Sequence, residues 1–120
     1  MFAKNRSLAL LTVSLLMMTA GIVTAFAQDK SWDGVWTGIW EDNNAVSSIV
    51  IANGRVQQYR YANQAVPIQQ QKNTANAITF GCSNSCTPYN VVLTRTGPAT
   101  AAASFSSPKI KPNRARFSRN

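Results

Sequence analysis

Gly34-Val35-Trp36-Thr37-Gly38-Ile39-Trp40, the alternating run Ser47-Ser48-Ile49-Val50-Ile51, the pair Asn53-Gly54 and then Val56-Gln57-Gln58-Tyr59-Arg60-Tyr61 decide the fold of this chain. Side chains in these runs repeat with a period of two, the period of a pleated strand. In the first run Gly34, Trp36, Gly38 and Trp40 fall on one face, and Val35, Thr37 and Ile39 on the other. Small and large residues alternating along one inward face suit the tapering interior of a small barrel. Asn53-Gly54 is the strongest short hairpin signal, because both residues tolerate the positive φ of a type I′ turn. Trp36 and Trp40, with Tyr59 and Tyr61 from one face of the third strand, are candidate ligand-binding residues; the same rings also suit a plain core, where aromatics bury large areas.

Working outward, Asn, Gly and Pro punctuate the chain at short intervals, and no stretch after residue 28 shows a helical period. Strands are predicted over 34–41, 46–52, 55–61, 64–71, 77–82, 87–96, 99–105 and 113–118. Their spacing is that of barrels and sandwiches. The expectation is an all-β fold, a small antiparallel up-and-down β-barrel of about eight strands, with a β-sandwich as the alternative. Closure into a barrel would also remove exposed strand edges.

The N-terminus reads as a signal peptide over 1–27, leaving residues 28–120 as a single all-β domain. Lys4 and Arg6 precede a charge-free stretch whose apolar core runs over 8–23 and ends at Ala25-Phe26-Ala27. Small residues at those two alternate positions are what a signal peptidase accepts. The rival reading is an uncleaved membrane anchor, since the stretch approaches the ~20 residues that span a bilayer. No cysteine lies near the cleavage point to carry a lipid. The localisation expected is periplasmic or secreted.

Cys82 and Cys86 are the only cysteines. In an oxidising compartment they are expected to pair as a disulfide across a three-residue loop. A loop that short contributes about 2 kcal/mol or less. A redox role fits less well, because the spacing is Cys-x-x-x-Cys and no helix follows to lower a thiol pKa.

Two copies of Gly-x-Trp in the first strand, the Ser-rich second strand, Asn-Gly and the Tyr-Arg-Tyr third strand resemble the opening of calycin-type barrels, the lipocalins and avidins. The resemblance covers residues 34–61. It implies a ligand-holding barrel without catalysis, and it implies a late Arg packed on a first-strand Trp, for which Arg95, Arg114 and Arg116 are candidates. Biotin binding is not implied, since no tryptophan follows Trp40. The chain is also shorter than a lipocalin and lacks its C-terminal helix.

The chain contains no histidine, which removes the usual general base and the commonest transition-metal ligand. Its four acids are Asp29, Asp33, Glu41 and Asp42. Of these, only Asp33 and Glu41 could form a glycosidase pair, which needs its carboxyls about 5–10 Å apart. Phosphate-loop and dinucleotide motifs are missing, and neither cofactor nor metal is expected. The formal charge is +8, or +6 once Lys4 and Arg6 are removed. Lys109, Lys111, Arg114, Arg116 and Arg119 crowd the last twelve residues and form a candidate polyanion site, or else a solvated strand that resists edge pairing. Gln57, Gln58, Gln64, Gln69, Gln70 and Gln71 supply neutral hydrogen-bonding groups in the third and fourth strands. The function expected is therefore a non-catalytic binding module for a small ligand or protein. A proteinaceous hydrolase inhibitor and a basic protein for an anionic surface polymer are the alternatives. Intact mass of the exported protein is expected to place its N-terminus at Gln28; a membrane-bound form retaining 1–27 would reverse the localisation.

Overall fold

The computed structural model describes residues 30–120; the expected leader and its cleavage point lie outside them. The first described residues, Lys30–Trp32, form a single 3-10 turn, and everything after it is strand and turn. The strands are β1 (Gly34–Trp40), β2 (Val46–Ala52), β3 (Arg55–Tyr61), β4 (Gln64–Val66), β5 (Gln70–Asn73), β6 (Ala77–Cys82), β7 (Tyr89–Gly97), β8 (Thr100–Ser107) and β9 (Ile110–Arg119). All pair antiparallel in one curled half-barrel sheet ordered β4-β3-β2-β1-β9-β8-β7-β6-β5. Every neighbour in that order but one is also a chain neighbour, the exception being β1 with β9. This is an up-and-down meander rolled until its first strand meets its last. It is a single sheet, so the sandwich alternative does not apply.

The period-two pattern becomes burial directly. Trp36, Gly38 and Trp40 are buried while Val35, Thr37 and Ile39 face outward. On β9, Ala115 and Phe117 turn in, and Arg114, Arg116 and Ser118 turn out. The Asn53-Gly54 turn has both residues at positive φ, 55° and 75°, as a type I′ hairpin requires. Ala62 and Asn63 do the same between β3 and β4.

The described residues form nine strands where about eight were expected. The single strand expected over 64–71 is two, interrupted at 67–69. Pro67 has no N–H to give a ladder. Pro88 likewise delays β7 to Tyr89, two residues later than expected. Pro112, by contrast, lies inside β9. The register between β8 and β9 shifts there, Ser107 opposing Ile110 and Phe105 opposing Asn113. Such irregularities are where a strand tolerates proline.

The closure is also incomplete. β4 and β5 are both edges, and no backbone ladder joins β3 to β5. The seam is bridged by side chains instead. The Gln71 carboxamide accepts from the Val56 N–H at 2.7 Å and donates to the Val56 carbonyl at 3.1 Å. Asn73 Nδ2 donates to the Gly54 carbonyl at 2.7 Å and to Gln71 Oε1 at 2.9 Å. A glutamine amide here takes the place of a peptide group on a neighbouring strand.

The basic C-terminus is thus a central strand, hydrogen-bonded to β1 on one side and β8 on the other. Truncation after Pro112 is expected to abolish cooperative melting by circular dichroism, because a small domain with a margin of roughly 5–10 kcal/mol cannot lose a central strand. A truncated chain that melts like the full-length protein would contradict this.

Candidate functional site

The two ends of the half-barrel are built differently. At the end where β1 begins, the interior is sealed. Trp32 from the 3-10 turn is buried against Trp36, ring centroids 5.3 Å apart. Each indole N–H finds an acceptor, Trp32 on the Thr74 carbonyl at 2.9 Å and Trp36 on the Trp32 carbonyl at 2.8 Å. Two guanidinium groups cover the rings. Arg95 lies 4.2 Å from the Trp32 centroid and Arg119 lies 4.7 Å from that of Trp36, within cation–π range. Both are anchored by hydrogen bonds to Ser31, and Arg119 also donates to the Asp33 carbonyl at 2.9 Å. The Asp33 carboxylate accepts the N–H groups of Asn53 and Gly54, both at 2.9 Å, and so ties the β2–β3 hairpin to this end.

At the opposite end the sheet opens into a cavity of about 840 Å³. Aromatic rings from both sides of the curl line it. Trp40 comes from β1, Tyr59 and Tyr61 from β3, Tyr89 from β7 and Phe105 from β8. The rings touch in sequence: Phe117 to Trp40 at 5.9 Å, Trp40 to Phe105 at 6.0 Å, Phe105 to Tyr89 at 6.1 Å and Tyr89 to Tyr59 at 5.8 Å. Most of these pairs are tilted or edge-on, the arrangements that ring quadrupoles favour. Val66, Pro67 and Ile110 extend the apolar wall, and the rim is polar, carrying Asp42, Asn43, Gln64, Lys111 and Asn113.

The Cys82–Cys86 disulfide forms part of this rim, with Cα atoms 6.4 Å apart. It does not cross a strand pair, since Cys82 opposes Tyr89 in the ladder. It closes the loop 83–85, and Cys86 faces the cavity. Gln69 holds the same loop. Its Oε1 accepts from the N–H groups of Ser83 and Asn84 at 2.9 and 2.8 Å, and its Nε2 donates to the Asn84 carbonyl. On the other side of the mouth, Asn43 in the β1–β2 turn hydrogen-bonds the Tyr61 hydroxyl.

Of the four aromatic residues singled out from sequence, Trp40, Tyr59 and Tyr61 meet at the cavity, whereas Trp36 belongs to the sealed end. Sequence reasoning missed Tyr89, Phe105, Val66 and Ile110. Tyr89 and Phe105 were legible in principle, since each continues the inward alternation of its strand, Tyr89-x-Val91-x-Leu93 and Ala101-x-Ala103-x-Phe105. The five basic residues do not form one cluster. Arg119 is consumed by the sealed end, Lys111 stands at the rim, Lys109 lies in the β8–β9 turn, and Arg114 and Arg116 project outward from β9. The Arg that covers a first-strand Trp is Arg119, joined by Arg95 at 5.7 Å from Trp36. Arg114 and Arg116 point away. Asp33 and Glu41 flank opposite ends of β1, roughly 25 Å apart at ~3.3 Å per residue, well beyond a glycosidase spacing.

Ser47 is the buried polar side chain beside the cavity floor, and its Oγ accepts the Trp40 indole N–H at 2.8 Å. Tyr59 is only 1% exposed, and its hydroxyl has no hydrogen-bond partner among the described residues. Burial pushes its pKa up to about 12, the neighbouring Ser47 hydroxyl pulling the other way. The Tyr89 hydroxyl is also raised by burial, and donates to the Pro67 carbonyl at 2.7 Å.

Among the described residues no three potential metal ligands cluster, and no helix is long and apolar enough to cross a membrane. No family of known proteins, no curated protein and no solved structure matches the chain. Fold and site together define an antiparallel half-barrel, sealed at one end and open at the other onto an aromatic cavity.

The two buried tyrosines should respond differently to loss of their hydroxyls. Tyr59→Phe removes an unmatched polar group and is expected to leave stability unchanged or raised. Tyr89→Phe strands the Pro67 carbonyl and is expected to cost about 1 kcal/mol. The folded protein keeps the Tyr59 proton at pH values where the unfolded chain, titrating near 10.0, has begun to lose it. The contribution to stability is therefore full below pH 10 and is lost as pH rises toward 12. Urea melts at pH 8 and pH 11 check both points, and the alkaline loss should be smaller in Tyr59→Phe.

Proposed function

We propose that this protein is an exported, non-catalytic binding module that holds a small, neutral, apolar or aromatic ligand in the open end of its half-barrel. The observation that carries the reading is the cavity itself. Its volume of about 840 Å³ falls within the ~300–1,000 Å³ of typical ligand pockets, which are apolar clefts with a few placed polar groups. Tyr61, Tyr89 and Phe105 present ring surface to the opening, Trp40 and Tyr59 are buried beneath them, and the charged residues of the lining, Asp42 and Lys111, stand at the rim. The likeness to calycin-type barrels extends the same reading. Two Gly-x-Trp units stand on the first strand, and a late Arg covers the first-strand Trp36. The disulfide fits an oxidising compartment, periplasmic or extracellular.

A second reading is favoured by one local feature. The loop 83–85, clipped by Cys82–Cys86 and braced by Gln69, is an exposed segment held in one conformation at the rim. Preorganised loops of this kind suit a proteinaceous inhibitor that blocks a hydrolase cleft, because little ordering entropy remains to be lost on binding.

Titration with a neutral, environment-sensitive fluorophore such as N-phenyl-1-naphthylamine tests the carrier reading. Saturable one-to-one enhancement is expected. Val66→Trp, on an edge strand at the cavity wall, should weaken it at least about tenfold, equal to ~1.4 kcal/mol, without lowering the melting temperature. Absence of saturable enhancement in the wild type, or equal binding in the variant, sinks the carrier reading. Recovery of a hydrolase by the wild type but not by a variant with Asn84→Ala would favour the inhibitor.

A further inference from the structure

Large apolar side chains exposed on a small domain need an account when they gather with charge. Four such residues stand out, and three of them sit at the cavity end of the sheet: Ile39 at 54% exposure, Val46 at 59% and Ile110 at 55%. Ile39 and Val46 oppose each other across β1 and β2 on the outer face, and Ile39 also opposes Arg116 of β9. Toward its start the same strand carries Arg114, exposed on the same face. It begins at Ile110, between Lys109 and Lys111, where the β8–β9 hairpin overhangs the mouth. The basic segment thus runs along one side of the opening with apolar residues between its charges.

We propose that this mouth-side face docks the protein reversibly on an anionic lipid surface, with Ile110 entering the headgroup region and the flanking cations meeting lipid phosphates. Exposed aliphatics interleaved with Lys and Arg are the composition of interfacial membrane-binding segments. Each basic residue close to an anionic leaflet strengthens attachment by roughly fivefold. A soluble polyanion would use the charges but gain nothing from Ile39, Val46 and Ile110, whereas a bilayer interface takes both. Two carboxylates, Glu41 and Asp42, lie on the adjacent turn. The face therefore carries a modest excess of positive charge, and the attachment is reversible. The placement also fits the geometry of the cavity, because the docked face borders its opening, and a ligand could pass between bilayer and barrel without crossing water. The docking goes beyond ligand carriage and stands or falls separately from it.

The experiment is vesicle co-sedimentation of the processed protein, its N-terminus checked by intact mass. Vesicles of phosphatidylcholine alone are compared with vesicles containing phosphatidylglycerol. Sedimentation with the anionic vesicles only, weakened by added salt, is expected. Lys109→Glu/Arg114→Glu should lower partitioning by at least about tenfold. Neither residue lines the cavity, so fluorophore binding measured without vesicles should be unchanged. Val46→Ser, on the outer face, should weaken partitioning several-fold while leaving retention on soluble polyphosphate untouched. Lys109→Gln/Arg114→Gln serves as a milder pair should the reversed charges disturb folding. The proposal is overturned if the wild type ignores anionic vesicles, if the charge variants sediment as it does, or if Val46→Ser partitions normally. That last outcome, with polyphosphate bound by the wild type, would make the face a soluble-polyanion site.

Discussion

Two glycines in β1 leave holes that two residues of β9 fill, and the rest of the sheet depends on that fit. A Cβ at Gly38 would stand 2.6 Å from the Arg116 carbonyl oxygen and 2.7 Å from the Phe117 ring. A Cβ at Gly34, where φ is 137°, would stand 2.7 Å from the Arg119 side chain. Phe117 is thereby free to lie against Trp40, and the stem of Arg119 to cross and bring its guanidinium over Trp36. First and last strands become a continuous surface of stacked side chains, where a residue with a side chain in either hole would hold them apart. Because β1–β9 is the one pairing in the sheet that is not between chain neighbours, it carries the loop-closure cost of the whole fold. The hairpins on either side need no such help. Each is local and set by its own turn, Asn53-Gly54 and Ala62-Asn63 by positive φ.

The contrast between the two ends follows from where the polar partners are. At the sealed end every indole N–H, the Asp33 carboxylate and both guanidiniums are satisfied by backbone groups of the crossing turns. Burial of Trp32 and Trp36 there leaves neither indole N–H unpaired. At the open end the turns are held to the rim by their own side-chain hydrogen bonds. Asn43 is occupied with Tyr61, Gln69 with the disulfide loop, and Asn113 with the Asp42 N–H at 3.0 Å. Aromatic faces that could have been capped are left lining a space.

Much of this architecture was legible in the chain because period-two alternation reports directly on which side of a pleat a residue lies. The inward faces of β1 and β9, the type I′ turn and the Cys82–Cys86 pairing all rest on such local rules. What was not legible depended on register. Trp36 and Trp40 share a face and a spacing, and nothing in the sequence says that one belongs to a sealed end and the other to a cavity. That difference comes from Trp32, which lies before the strand pattern begins yet folds back to cap its neighbour. The cluster of C-terminal cations misled for a similar reason. Linear proximity placed Arg119 with Lys109, while ten residues of extended strand put them at opposite ends of the barrel.

The run of glutamines shows the same limit from the other side. In sequence, Gln64 to Gln71 alternates as one strand would, and six glutamines over strands three and four suggest an exposed hydrogen-bonding face. Pro67 breaks the run, and the two halves then join opposite edges of the sheet, β4 on β3 and β5 on β6. Such edges ordinarily invite pairing with other chains. Here Gln71 turns its amide onto both backbone groups of Val56, and Asn73 takes the Gly54 carbonyl, so side chains occupy positions that another strand would seek. This satisfies the seam only near the sealed end. Toward the mouth no such bridge to β5 exists among the described residues, and Val66 and Pro67 become cavity wall. The break that defeats a sequence reading of one strand is therefore also what leaves the barrel open at the end where the aromatic residues gather.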